Sequence, residues 1–128
     1  MWYTSFMAKK ILIIDDDYNG SKAIKEILKK EGFEVFYAYS GDEGLKKINE
    51  TKPDLILLDL VLTDTSGFKI AQELKENPKY SDIAIIAISL KKEDIDKHVA
   101  MKVGIIDYLE KPIDAGKLIF KIKGALNI

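Results

Sequence analysis

Cysteine and arginine are both missing from this 128-residue chain. Without cysteine there is no disulfide and no thiolate metal site. Without arginine, all 20 basic residues are lysine. A bidentate guanidinium fork then cannot come from the chain's own side chains, which counts against anion recognition by an arginine cluster. An excess of one charge is missing too: 20 basic residues face 21 acidic ones, a net charge of −1. That balance gives no electrostatic case for direct nucleic acid or membrane-surface binding. No apolar run approaches the ~20 residues of a membrane span, and no signal peptide is visible; the expectation is a cytoplasmic protein. Repeats, low-complexity tracts and internal linkers are lacking as well. The length suits one domain with a sizeable core.

One stretch organises what is there. In Asp54-Leu55-Ile56-Leu57-Leu58-Asp59, four apolar residues stand in a row after a proline, the pattern of a strand buried on both faces. A carboxylate, Asp59, closes it. Ile11-Leu12-Ile13-Ile14 repeats the pattern and runs into Asp15-Asp16-Asp17.

The remaining elements follow in order. Residues 1–8 read as a flexible N-terminal extension, and residues 9–128 as the domain. The first strand covers about Lys10 to Ile14. A helix over Asn19 to Glu31 follows, with Ile24, Ile27 and Leu28 at helical spacing and Gly32 as its stop. Glu34 to Tyr37 or Ala38 is a short edge strand. Ser40-Gly41-Asp42-Glu43 is a capping box that opens a helix fading near Thr51, and Pro53 bars its continuation. After the loop Leu60 to Ser66, a third helix starts near Gly67 and stops before Pro78. Ile83 to Ile88 is a fourth strand, ending at Ser89. A charged helix from Lys91 to Val103, carrying the surface residue His98, stops at Gly104. Ile105 to Leu109 is the fifth strand, and Asp114 caps the last helix. The alternation is (βα)5, which forces a parallel sheet with right-handed crossovers and helices on both faces.

Loops at the carboxyl edge of such a sheet are where ligands bind. Here they offer Asp15-Asp16-Asp17, Ser40-Gly41, Asp59, Ser89 and Lys111. Clustered carboxylates repel one another, and a hard divalent cation such as Mg2+ relieves the repulsion while keeping sites for water and phosphate oxygens. With a hydroxyl and an ammonium beside it, the set describes a phosphoryl site, and a carboxylate can itself be the nucleophile. Each residue also has a plain structural role. Asp59 or the triple aspartate can cap a helix, Ser89 can be a turn residue, and Lys111 before Pro112 can be a solvated loop lysine.

These motifs together make the chain similar to the receiver domain of two-component response regulators. The matching pieces are Ile11 to Asp16, Lys52 to Asp59, Gly67, Ser89, Gly104 and Tyr108-Leu109-Glu110-Lys111-Pro112. The resemblance implies a doubly wound, flavodoxin-like three-layer sandwich with strand order 2-1-3-4-5. It implies that Asp59 takes a phosphoryl group from a sensor histidine kinase or histidine phosphotransfer protein. Mg2+ would be ligated by Asp16, Asp59 and the Val61 carbonyl, with Asp15 acting through a water. Ser89 and Lys111 would bind the phosphoryl group, and the Lys111-Pro112 bond would be cis. Ser89 and Tyr108 would act as switch residues, remodelling the face made by the fourth helix, fifth strand and fifth helix. That face would meet a downstream effector protein or an output domain since lost. The chain would then be a phosphoacceptor signalling domain rather than an enzyme. Its end at Ile128, just after the last helix, favours a stand-alone receiver.

The sequence departs from the family pattern in places. Leu62-Thr63 replaces a Met-Pro pair, which is expected to loosen that loop. Ser66 stands where an aspartate is usual, and Leu90 where alanine or glycine is usual. Lys102 and Ile106 replace the acids of a charge-paired dimer face. Bulky Val61 and Leu90 lead to the expectation of a long-lived phosphorylated form. Two other readings stay open. Asp15-Asp16-Asp17 contains the Asp-x-Asp of haloacid-dehalogenase-type phosphatases, with Asp15 as nucleophile, although Asn19 stands where their threonine is expected. A receiver-like module that binds partners without phosphorylation is the other.

Overall fold

A computed structural model describes residues 8–91 and 96–128. Five strands alternate with five helices along it: β1 (Lys10–Ile14), α1 (Tyr18–Lys30), β2 (Glu34–Ala38), α2 (Gly41–Thr51), β3 (Leu55–Asp59), α3 (Gly67–Glu76), β4 (Ala84–Ser89), α4 (Lys97–Lys102), β5 (Ile105–Glu110) and α5 (Ala115–Leu126). The strands form one parallel sheet in the order β2-β1-β3-β4-β5, the order the resemblance implies. The expected extension falls almost wholly outside the described residues. So does part of the expected helix over Lys91 to Val103, of which Lys97–Lys102 is described as helix.

The period of two in β1 and β3 divides the core. Leu12, Ile14, Ile56 and Leu58 point to the side of α2, α3 and α4. Ile11, Ile13, Leu55 and Leu57 point to the side of α1 and α5. All eight are fully buried, each contributing roughly 1.5–3 kcal/mol. Burial on both faces is why these strands read as unbroken apolar runs. Every described helix starts from an Asp or Ser whose side chain accepts a hydrogen bond from an amide of the first turn: Asp17, Ser40, Ser66, Asp96 and Asp114. These caps satisfy amides that the helix itself leaves free.

Register brings the strand ends level. Ile14 pairs with Ala38 on one side and Leu58 on the other, Asp59 with Ile88, and Ser89 with Glu110. Backbone bonds continue one residue further, from the Asp15 amide to Ala38, Leu60 to Ile88 and Lys111 to Ser89. The residues that follow β1, β3, β4 and β5 therefore emerge together at one edge.

β5 is irregular. Ile105 pairs with Ile85, but the next partner of β4, Ile86, pairs with Asp107. Ile106 is the extra residue of a bulge, and it is exposed while Ile105 is buried. Of the two isoleucines, only Ile106 thus reaches the surface.

Candidate functional site

The triple aspartate after β1 divides its labour. Asp17 caps α1, accepting from the Gly20 amide at 3.1 Å. Asp15 is 1% exposed; its Oδ1 accepts from the Asp17 amide at 3.0 Å. Asp16 is exposed, and with Asp15 and Asp59 it forms a group whose carboxylate oxygens lie within 4.8 Å of one another. Helix capping and acid clustering are both present, in different residues of one run.

Asp59, at the tip of fully buried β3, is 6% exposed. Its Oδ1 accepts from the Val61 amide at 3.0 Å, and its Oδ2 lies 3.4 Å from the Lys111 ammonium. The same ammonium is closer to Asp15 Oδ2, at 2.7 Å. Burial pushes the Asp59 carboxyl up to about 6, and the neighbouring Asp15 adds to it against the Val61 amide and Lys111. Repulsion between acids was the sequence-based reason to expect such a shift; burial is the larger cause. Burial pulls Lys111 down, but Asp15 and Asp59 outweigh it and hold the ammonium above its usual value. Lys111 is a half-buried counter-ion rather than a solvated loop lysine.

Ser89 is 1% exposed. Its hydroxyl donates to the Lys91 carbonyl at 2.9 Å and accepts from the Lys91 amide at 3.3 Å, so both bonds stay within its own loop. The Lys111–Pro112 peptide is cis. Tyr108 is partly buried on β5, with the Lys121 ammonium 5.3 Å from its ring centre, and Lys121 also pairs with Asp107 at 2.7 Å. Val61 and Leu90 are 65% and 73% exposed.

Gly67, at the start of α3, has no room for a side chain. A Cβ there would run into the Asp59 carbonyl and the Leu60 Cα, the latter at 2.9 Å. Its amide bonds to the Leu60 carbonyl at 3.0 Å, so α3 begins flush against the backbone that carries Asp59.

One residue escaped the reading of the sequence. Asp64, in the loop between β3 and α3, accepts from the Gly41 amide at 2.9 Å and from the Asp42 amide at 3.1 Å. Those partners lie 23 and 22 residues away along the chain, and no local motif signals such a bond.

The acid group can hold a cation. Its three carboxylates converge, and the Lys111 ammonium, 2.7 Å from Asp15 Oδ2, is the one side-chain cation paired with them among the described residues. All three donors are hard oxygens, and the Val61 carbonyl belongs to the adjacent loop. Such a set suits a small divalent ion that retains waters. Among the described residues no helix is long and apolar enough to cross a membrane.

A family model described as response regulator receiver domain matches residues 11–123. Solved structures agree with it. A two-component response regulator from Clostridium difficile is 31% identical with a TM-score of 0.85, covering 93% of this chain and 96% of that one. A CheY-like receiver domain protein from Methanospirillum hungatei is 30% identical with a TM-score of 0.85, covering 94% of each. The response regulator DrrB of Thermotoga maritima, an OmpR/PhoB homologue, is 28% identical with a TM-score of 0.83; the match covers 94% of this chain and 54% of that longer one. With its sheet order, its acidic edge and a match over nearly its whole length, this chain belongs to the response regulator receiver domain family.

Proposed function

We propose that this chain is a phosphorylation switch in which Asp59 accepts a phosphoryl group from a phosphohistidine on a histidine kinase or phosphotransfer protein. The observation that carries the reading is the setting of Asp59: a buried strand end, two further carboxylates, and an ammonium 3.4 Å from its Oδ2. The Asp59 carboxylate attacks phosphorus. The phosphorus–nitrogen bond breaks, and its electron pair leaves with the imidazole, which takes up a proton. Asp15, Asp16, Asp59 and the Val61 carbonyl would hold Mg2+, which would supply charge that neutralises the transferring phosphoryl group.

The remaining residues have work that follows from their contacts. Lys111 exchanges its bond to Asp59 for one to the phosphoryl group. Ser89 gives up its bonds to the Lys91 backbone and donates to a phosphoryl oxygen. Tyr108, which borders a groove of about 390 Å3 beside α4 with Met101 and Ile106, turns inward in response. The face of α4, β5 and α5 then differs between two states, which is enough for a partner to read. That partner is a downstream effector protein or an output domain.

Labelling with acetyl phosphate tests the reading. Wild type is expected to take up phosphate only with Mg2+, and Asp59→Asn to take up none while keeping its circular dichroism spectrum. Mg2+-dependent labelling of Asp59→Asn at the wild-type level would point instead to Asp15 and a phosphatase-like nucleophile. No labelling of wild type would leave a binding module that works without phosphorylation.

A further inference from the structure

We propose that Asp64 is a positioning residue for the cation site, fastening the loop that carries the Val61 carbonyl to the first turn of α2. This rests on the reading of that site given above.

The loop from Val61 to Ser66 is closed at its base by its own backbone. Val61 and Ser66 form an isolated antiparallel bridge, the Leu62 amide bonds to the Thr65 carbonyl at 3.2 Å, and the Gly67 amide to the Leu60 carbonyl at 3.0 Å. The tip has no proline to stiffen it, since Thr63 stands where the family pattern has one. Asp64 ties the tip instead. Each of its carboxylate oxygens takes one amide, Gly41 at 2.9 Å and Asp42 at 3.1 Å.

Those amides are the first two of α2, and the third, from Glu43, goes to Ser40. Three of the helix's free amides are therefore satisfied by two side chains, one of them from another loop. The positive end of the helix favours a carboxylate there, and the two amides hold the Asp64 carboxyl below its usual range. Thr65 supports the same junction, because a side chain on Gly41 would strike its methyl group. Gly41 is buried, so the loop and the helix start are in close contact. The expectation that losing proline loosens this loop is offset by a bond to a different element.

Val61 contributes to the site through its backbone alone, so its geometry depends on how well this loop is held. A cation binding a loosened loop would have to order it first. Ordering about one residue corresponds to roughly tenfold in affinity.

Calorimetric titration with Mg2+, using the full chain as wild type, Asp64→Ala and Asp64→Asn, tests this. Acetyl phosphate labelling across a Mg2+ series accompanies it. The expected result is a dissociation constant about tenfold weaker for Asp64→Ala. The Mg2+ needed for half-maximal labelling shifts by the same factor, while the labelling rate at saturating Mg2+ stays at the wild-type value. Asp64→Asn, which keeps one acceptor oxygen, shifts less. If Asp64→Ala melts at a lower temperature but binds Mg2+ like wild type, Asp64 is an ordinary helix cap and the proposal is wrong. If wild type itself binds no Mg2+, the reading of the site fails and takes this inference with it.

Discussion

Lys111 is bound more closely to Asp15 than to Asp59: its ammonium lies 2.7 Å from Asp15 Oδ2, and both side chains are largely shielded from water. Removing the ammonium leaves two buried carboxylates with no paired cation among the described residues. Lys111→Met is expected to lower stability in the presence of a chelator by on the order of 3 kcal/mol, the usual cost of breaking a buried pair. Mg2+ should recover more stability in this variant than in wild type. Urea unfolding with and without Mg2+ measures both; equal responses would show that Lys111 and the cation do not share the same carboxylates.

The raised Asp59 carboxyl gives a pH dependence of definite sign. Its folded value is about 6 against an ordinary value of 3.8. Folded protein therefore holds a proton between about pH 4 and 6 that the unfolded chain has released. The stability this contributes is fully present below about 4 and is lost as pH rises through about 6. Without Mg2+, wild type should lose stability relative to Asp59→Asn across that window. Mg2+ needs the ionised form, so its affinity should rise with pH through about 6, with proton release on binding below it. Titrations in two buffers of different ionisation enthalpy detect that proton.

Gly67 is required by space. Gly67→Ala pushes a methyl group into the Asp59 carbonyl, where backbone has to move. A loss of roughly 1–3 kcal/mol is expected, with slower phosphorylation, because the displaced backbone is that of the acceptor. Thermal melting and a labelling time course check the two effects together. Unchanged labelling would mean that α3 yields rather than β3.

Val61 and Leu90 are both bulky and exposed next to the site. If they keep attacking water from the phosphoryl group, Val61→Asn and Leu90→Ala should each lose phosphate faster, by up to about tenfold, or ~1.4 kcal/mol of barrier. Equal or slower loss in both variants would remove water exclusion from the account.

The parallel sheet was legible because both central strands are buried on two faces, while its strand order came from the family resemblance. Leu55 to Leu58 and Ile11 to Ile14 therefore show as unbroken apolar runs, and glycines and prolines mark the turns between elements. Asp15, Asp16, Asp59, Ser89 and Lys111 were legible because each stands at the end of a strand or within two residues after it, so register gathers them at one edge. What was hidden depends on contacts distant in sequence or on packing detail. Asp64 bonds to amides more than twenty residues away, and neither hydrophobic period nor capping pattern records such a bond. The exposure of Ile106 depends on a bulge that pairing with β4 creates. The Ser89 hydroxyl's bonds to Lys91 reflect the path of a loop, which a single serine at a strand end does not reveal.

The central claim is that Asp59, and not its neighbours, becomes phosphorylated. Wild type treated with acetyl phosphate and Mg2+, trapped by borohydride reduction and mapped by peptide mass spectrometry, answers it directly. The account predicts modification at Asp59 alone, absent when Mg2+ is chelated. Modification at Asp15, or none at all, would contradict it.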